Sequence, residues 1–467
     1  MRPDHLRALE RAHARSVAFQ ESLPERPQHV TATLSELREA IGGPTPEAGS
    51  PSDEVIDRLA DAVEPGLMGM AGPRFFGWVI GASHPAGIAA DWLTSAWGQN
   101  AGLYTVTPAA AVVEEVAAGW LLDILQLQPE CSVGFVTGAT LANFTCLAAA
   151  RGEILRQAGW DVEADGLFGA PPVHVYVGRD AHTTVFSALQ YLGMGRERVI
   201  AIGTDDEGRM DAEALDIAMA RHGGPAIVVT QAGQINTGAF DPVGVVSDIA
   251  HRHGAWVHVD GAFGLWARAC PARAHLAEGV DSADSWATDG HKWLQTPYDC
   301  GYAIVRHPEA HRRAMAIGAS YLQTAAGGAF EPRDYVPELS RRARGFATWA
   351  VLQALGREGI ASLVDGHCTL AQRMAERLAD EPGVRVVNRV ELNQVIVQFG
   401  DGDPADRDAA TDAVIAGVQR EGACCLAGAE WHGQRVMRIS VISWPTAEAD
   451  IDLCAESILA AWRAVRG

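Results

Sequence analysis

Of the 37 basic residues in the chain, 36 are arginine and one is lysine, Lys292, in the run Asp289-Gly290-His291-Lys292-Trp293-Leu294. A coding bias toward arginine accounts for the scarcity of lysine, and a surface lysine with its head in water is the plain reading of such a residue. Apolar residues follow this one at once, however, which suits a task that arginine cannot perform. Arginine stays protonated, whereas a lysine amine can give up its proton and attack a carbonyl carbon. A second segment, Thr137-Gly138-Ala139-Thr140-Leu141-Ala142-Asn143, lies between a strand-like and a helix-like run. Its small residues allow a ligand close to the backbone, helix N-terminal amides bind phosphate, and Thr140 adds a hydroxyl. An ordinary tight turn reads the same way, and neither the G-x-G-x-x-G nor the G-K-[ST] signature is present.

A third segment, His258-Val259-Asp260-Gly261-Ala262-Phe263-Gly264, ends a β-branched run with a carboxylate. In an open parallel sheet ligands sit outside that edge, although an N-cap is the plainer use of an aspartate there. His251, His253 and His258 do not read as a metal cluster, because the first two fall near a helix end and the third lies on the strand. An amine, an acid to pair with a pyridinium nitrogen and a phosphate turn together make the parts of a pyridoxal 5'-phosphate (PLP) site. That chemistry needs no metal.

These segments need elements to hold them. From about residue 100, short β-branched runs alternate with amphipathic stretches. SVGFVT precedes a helix over 140–156, VHVYVG one over 182–192, and RVIAIG and AIVVT one over 243–253; WVHVD and GYAIVR follow. Such alternation predicts an α/β fold with a mainly parallel sheet covered on both faces. From about residue 344 a long helix begins, and VRVVN, NQVIVQF and VMRISVI predict a smaller α/β domain with an antiparallel or mixed sheet. The first hundred residues offer helices over 34–41 and 55–63, the second capped by Ser52 or Asp53, and no visible core. The expected division is 1–100, 101–343 and 344–467.

Composition narrows the function classes. The net charge of −21 repels nucleic acid and anionic membranes, and no basic run offsets it. The richest apolar stretch, 108–125, is broken by Glu114, Glu115 and Asp123, so no membrane span is expected. The first residues lack the apolar core of a signal peptide. Eight cysteines without a C-x-x-C pair read as reduced, mostly buried thiols of a soluble cytoplasmic protein.

The segments together resemble the group II PLP-dependent amino-acid decarboxylases, which include the aromatic-L-amino-acid, tyrosine and glutamate decarboxylases. The resemblance runs through PRFFGW (73–78), TPAAAVVEEVAAGWL (107–121), TGATLANF, RDAHTTVF, AGQINTGAFDP, HVDGAFG, GHKWL, RRARGFATW and VMRIS. It implies the PLP-dependent transferase fold of the aspartate aminotransferase type (fold type I). It also implies that Lys292 carries PLP as a Schiff base, that Asp260 pairs with the pyridinium nitrogen, and that His182 and Ala262 flank the ring. Ala139, Thr140 and His291 match phosphate contacts. Tyr321 matches a loop tyrosine that protonates the substrate carbon in the neighbouring subunit's site. Arg438 matches a carboxylate-binding arginine, its plainer reading being a surface strand residue, and Trp78 and Asn100 match the substrate pocket. A homodimer with sites at its interface, the first hundred residues clasping the partner, completes what the resemblance implies.

Three departures stand out. Asp289 replaces the asparagine of many relatives, so that a carboxylate sits near phosphate, turns away, or fixes His291 as a cation. Gln234-Ile235 replaces a Thr-Thr pair, and Val79-Ile80-Gly81 differs from the aromatic-specific relatives. The expected activity is decarboxylation of an aromatic or bulky hydrophobic L-amino acid. An acidic or small aliphatic substrate is the alternative. Tyr321 argues against an oxygen-dependent aldehyde synthase, in which phenylalanine stands there. A PLP aminotransferase or carbon–sulfur lyase, and a PLP-binding protein without catalysis, are the remaining alternatives and the less favoured.

Overall fold

A computed structural model describes residues 3–317 and 330–467; Tyr321 lies outside the described residues. The chain divides into a larger compact unit, 81–375 with 386–396, and a smaller one, 1–80 with 376–385 and 397–467. This division does not follow the expected boundaries. The first hundred residues are split between the units, and the helical stretch Gly345–Ala379, broken by a kink at Gly356, lies mostly in the larger one. Contacts along that helix give the reason. Trp293 donates to His367 Nδ1 at 3.0 Å, Arg273 pairs with Asp365 at 2.9 Å, and Trp349 stacks on Trp120.

The larger unit is built on seven strands: β1 (Ser132–Val136), β2 (His174–Gly178), β3 (Ile200–Ile202), β4 (Ala226–Gln231), β5 (Trp256–Asp260), β6 (Ser285–Asp289) and β7 (Gly301–Val305). Their order is β1-β7-β6-β5-β4-β2-β3. Strands β2 to β6 pair in parallel, and β7 runs antiparallel to both of its neighbours. The carboxyl ends of β1, β2, β4, β5 and β6 therefore share one edge. Helices Ala139–Gln157, Thr183–Tyr191 and Val243–Arg252 follow β1, β2 and β4 within a residue of the expected spans.

The strand β6, SWATD, escapes the apolar patterns that mark its neighbours. All five of its residues are buried in mid-sheet, where no solvated face imposes alternation and the polar side chains find partners inside. Residue 301 sets its spacing from β1. Gly301 pairs with Val136 on one side and Asp289 on the other, and a Cβ there would fall 2.5 Å from the Gly138 Cα. Only glycine lets the turn after β1 come so close to the end of β6.

The apolar stretch beginning at residue 108 is a helix, Pro108–Ile124. Among the described residues no helix is long and apolar enough to cross a membrane. Its Glu114 is buried and holds Arg341 in a bidentate pair, both contacts 2.6 Å. Removing one partner strands the other charge away from water. Glu114→Ala is expected to cost about 3–5 kcal/mol, read as a lower denaturation midpoint.

In the smaller unit, helix Leu34–Ile41 begins with a capping box between Thr33 and Glu36. Helix Ser52–Val63 starts at Ser52 itself, after Pro51, so neither Ser52 nor Asp53 caps it. Helix Pro3–Ser22 packs on it through Arg11 and Arg15, which pair with Asp57. A four-stranded sheet, β8 (Val384–Val386), β9 (Gln394–Phe399), β10 (Ala427–Trp431) and β11 (Gln434–Ser440), has the order β10-β11-β9-β8. All eight cysteines are free thiols, and all but Cys425 are buried.

Candidate active site

The carboxyl edge of the large sheet opens into a cavity of about 330 Å³ lined by the chain's single lysine and both flanking motifs. Gly138, Ala139 and Thr140 come from the turn after β1, His182 from the loop after β2, and Gln231 from the end of β4. Asp260 and Ala262 follow from β5, and Asp289, His291 and Lys292 from β6. Of the expected site residues, Ala139, Thr140, His182, Asp260, Ala262, His291 and Lys292 all meet here.

Lys292 is held through its backbone. The Gln295 side chain donates to the Lys292 carbonyl at 2.7 Å, and a Cβ on Gly81 would fall 2.1 Å from that same oxygen. Gly81, one of the departures in the pocket segment, is thus required by close approach. The Lys292 side chain is 17% exposed, and its Nζ lies 3.0 Å from Asp289 Oδ2.

Asp260, 5% exposed, is held by two donors: Asn143 Nδ2 reaches Oδ2 at 3.2 Å, and the Ala262 amide reaches Oδ1 at 3.3 Å. Behind Asn143 runs a directed chain of hydrogen bonds. Trp256 Nε1 donates to Ser285 Oγ at 2.9 Å, and Ser285 meets His258 Nδ1 at 2.9 Å. His258 Nε2 in turn meets Asn143 Oδ1 at 2.8 Å. Because the Asn143 amide donates to Asp260, its oxygen accepts from His258, which assigns the imidazole proton to Nε2. Burial pushes His258 down to about 3, consistent with that neutral ring.

Asn143 was not singled out from sequence, although a signal existed. It is a fully buried amide on an otherwise apolar helix face, one turn from Ala139. Asn143→Ala is expected to lower kcat roughly tenfold, about 1.4 kcal/mol, by leaving His258 and Asp260 without their shared partner. The check is steady-state kinetics beside a cofactor titration, with cofactor still bound.

His182 caps the helix that follows it, its Nδ1 within 2.8 Å of Thr184 Oγ1. The loop before it is anchored by Gln231 and Gln234, whose amides donate to the Asp180 carbonyl at 3.1 and 3.2 Å. Gln234 Oε1 also accepts from the amides of Asn236 and Thr237. The Gln234 departure therefore builds the loop, while Ile235 lines the cavity. Thr184, Gly233 and Phe263, from segments marked in the sequence but not as site residues, also line the cavity, as does Tyr298, which no marked segment includes. The Tyr298 ring lies 4.4 Å from that of His291, and burial raises its hydroxyl to about 12.

His291 is not held as a cation. Burial pushes its imidazole down, opposed by Asp289, and Nδ1 accepts from the Cys300 amide at 3.2 Å. Asp289, 2% exposed, does not turn away from the turn after β1: its Oδ1 accepts from the Ala139 amide at 2.5 Å.

The three expected substrate residues are divided between the two units. Asn100 is absent from the lining, and its Oδ1 accepts from the amides of Gly102 and Arg341, tying two loops together. Trp78 and Arg438 belong to the smaller unit. Trp78 is 60% exposed with a left-handed backbone (φ 56°), uncommon for a non-glycine residue. Arg438 is buried on β11, not a surface residue.

The cavity fits a PLP-sized aldehyde that carries phosphate. It offers one primary amine, a buried carboxylate on fixed donors, an imidazole and a helix N-terminus whose glycine cap has no side chain. Asp289 is the one discordant group. The class that this fold and site define is the PLP-dependent enzymes of fold type I. Residues 35–399 match the model of the pyridoxal-dependent decarboxylase conserved domain, and the chain belongs to that family. It is similar to tryptophan decarboxylase 1 of Oryza sativa subsp. japonica, 28% identical over 87% of this chain and 83% of the relative. It is also similar to the cysteine sulfinic acid decarboxylase of Mus musculus, 25% identical over 89% and 87% of the two chains. A crystal structure of Oryza sativa TDC with PLP and tryptamine superposes with a TM-score of 0.93, at 25% identity, covering 100% of this chain and 99% of the other. The cofactor is PLP and the reaction class is that of a carboxy-lyase acting on amino acids.

Proposed function

We propose that the chain decarboxylates an aromatic or bulky hydrophobic L-amino acid, releasing the amine and carbon dioxide, at the cavity around Lys292. The observation that carries this reading is the convergence of the chain's single lysine, Asp260 and His182 on one cavity beside a helix N-terminus. When bound, PLP supplies an electron sink for the pair left on the substrate's α-carbon as carbon dioxide departs.

The residues divide the remaining work. Lys292 Nζ would hold the cofactor as the one side-chain amine of the cavity. Asp260 would hold a proton at the ring nitrogen, its carboxylate fixed by a donor at each oxygen. His182 and Ala262 would flank the ring, while Ala139, Thr140 and His291 would hold the phosphate. Tyr321 returns a proton to the α-carbon. The similarity to a tryptophan decarboxylase supports an aromatic substrate, with Trp78 assigned to substrate binding and Asn100 to holding loops.

A second reading, an acidic or small aliphatic substrate, draws on Arg438, whose buried Nε has no hydrogen-bond partner among the described residues. Similarity to a cysteine sulfinic acid decarboxylase supports it too. A panel of L-amino acids scored for carbon dioxide and amine separates the two; release from no member would sink the decarboxylase reading for this site. Aldehyde and peroxide in place of amine would identify an oxidative reaction instead. The chain acts as a cytoplasmic homodimer with sites at the interface, and an active monomer by sedimentation would contradict that.

A further inference from the structure

Asp289 occupies the two positions that an anionic aldehyde cofactor needs. Its Oδ1 takes the first amide of helix Ala139–Gln157 at 2.5 Å, and its Oδ2 takes the Lys292 amine at 3.0 Å. A carboxylate at a helix N-terminus is stabilised there for the same reason a phosphate would be. Its side chain is 3% exposed, so water screens it little. Charge counting sharpens the conflict. The described lining holds one amine, Lys292, against two carboxyl groups, Asp260 and Asp289, and contains no arginine. A phosphate brought to the same amide adds further negative charge beside a buried carboxylate. His291 does not relieve this, because its Nδ1 accepts from the Cys300 amide and burial favours the neutral ring.

We propose that Asp289 is a resident anion: in the cofactor-free chain its carboxylate fills the phosphate seat and pairs Lys292, and the cofactor's phosphate must displace it. The inference rests on the assignment of this cavity as the PLP site. It makes Asp289 a positioning residue that stabilises the cofactor-free site and weakens cofactor affinity, an opposition that asparagine, being uncharged, would lack.

The test compares PLP with pyridoxal, which has the same ring and aldehyde but no phosphate. Both are titrated into cofactor-free wild type, Asp289→Asn and Asp289→Ser, with binding read by absorbance. The ratio of PLP to pyridoxal affinity should rise about tenfold or more in each variant, about 1.4 kcal/mol. An unchanged or smaller ratio overturns the proposal, as does an equal gain for both ligands, which would place the effect outside the phosphate seat. Without cofactor both variants should melt below wild type, and PLP should raise their Tm by more. Cofactor-free variants as stable as wild type overturn the stabilising half. Should neither variant fold, the wild type still decides: its PLP-to-pyridoxal ratio should stay below about a hundredfold, and a larger one refutes a filled seat. Failure of wild type to bind PLP at all would sink the site assignment instead.

Discussion

Lys292→Ala should abolish covalent retention of PLP and lower kcat by roughly three orders of magnitude or more. The size of the effect follows from the composition as much as from the site. Lys292 is the chain's only lysine, so no second side-chain amine can take over the tether. Borohydride reduction followed by peptide mapping reads the result directly. Wild type should carry the reduced cofactor on the peptide containing Lys292, and the variant should carry none on any side chain. A trapped side-chain adduct in the variant would refute the assignment. Lys292→Arg should behave like the alanine variant, because a guanidinium stays protonated and cannot attack the aldehyde. An added small primary amine should restore part of the lost turnover in the alanine variant, whose cavity has room where the side chain was removed.

Asp260→Asn should leave the tether intact while lowering kcat by about a thousandfold. The isosteric amide keeps the shape of the site. It cannot hold a proton at the ring nitrogen as a carboxylate does, so the ring loses much of its pull on the α-carbon's electrons. Asp260 is also placed for the part: it is 5% exposed and takes donors at both oxygens, one at the end of a chain of four buried side chains. The discriminating measurement is kcat beside borohydride trapping on the same sample. Trapping as in wild type with kcat reduced supports the role, whereas near-normal kcat excludes it. Loss of both would show instead that Asp260 is needed to build the site.

Much of this was legible along the chain. The helix after β1 was expected over 140–156 and is observed at Ala139–Gln157; the strand ending in Asp260 was expected and is β5. Periodicity and turn chemistry are local properties, decided by neighbours a few residues away, and a sequence displays them openly. The singular chemistry of Lys292 was legible for the same reason, since an amine in a chain of guanidinium groups needs no fold to stand out. By itself, then, the sequence determined most of the alternation that makes the sheet mainly parallel, and it marked Lys292 and Asp260 as the candidate amine and acid.

Other features became definite only in three dimensions. SWATD is a central strand because β5 and β7 enclose it, not because its own pattern says so. Asn143 meets Asp260 across 117 residues and His258 across 115, and Glu114 meets Arg341 across 227. The choice among the three possible postures of Asp289 depended on the Ala139 amide, 150 residues away, which the glycine at 301 brings within 2.5 Å. Hydrogen bonds and ion pairs depend on distances of a few tenths of an ångström, and sheet register sets those distances. Register emerges from packing the whole set of strands together, so no single segment of the sequence contains it.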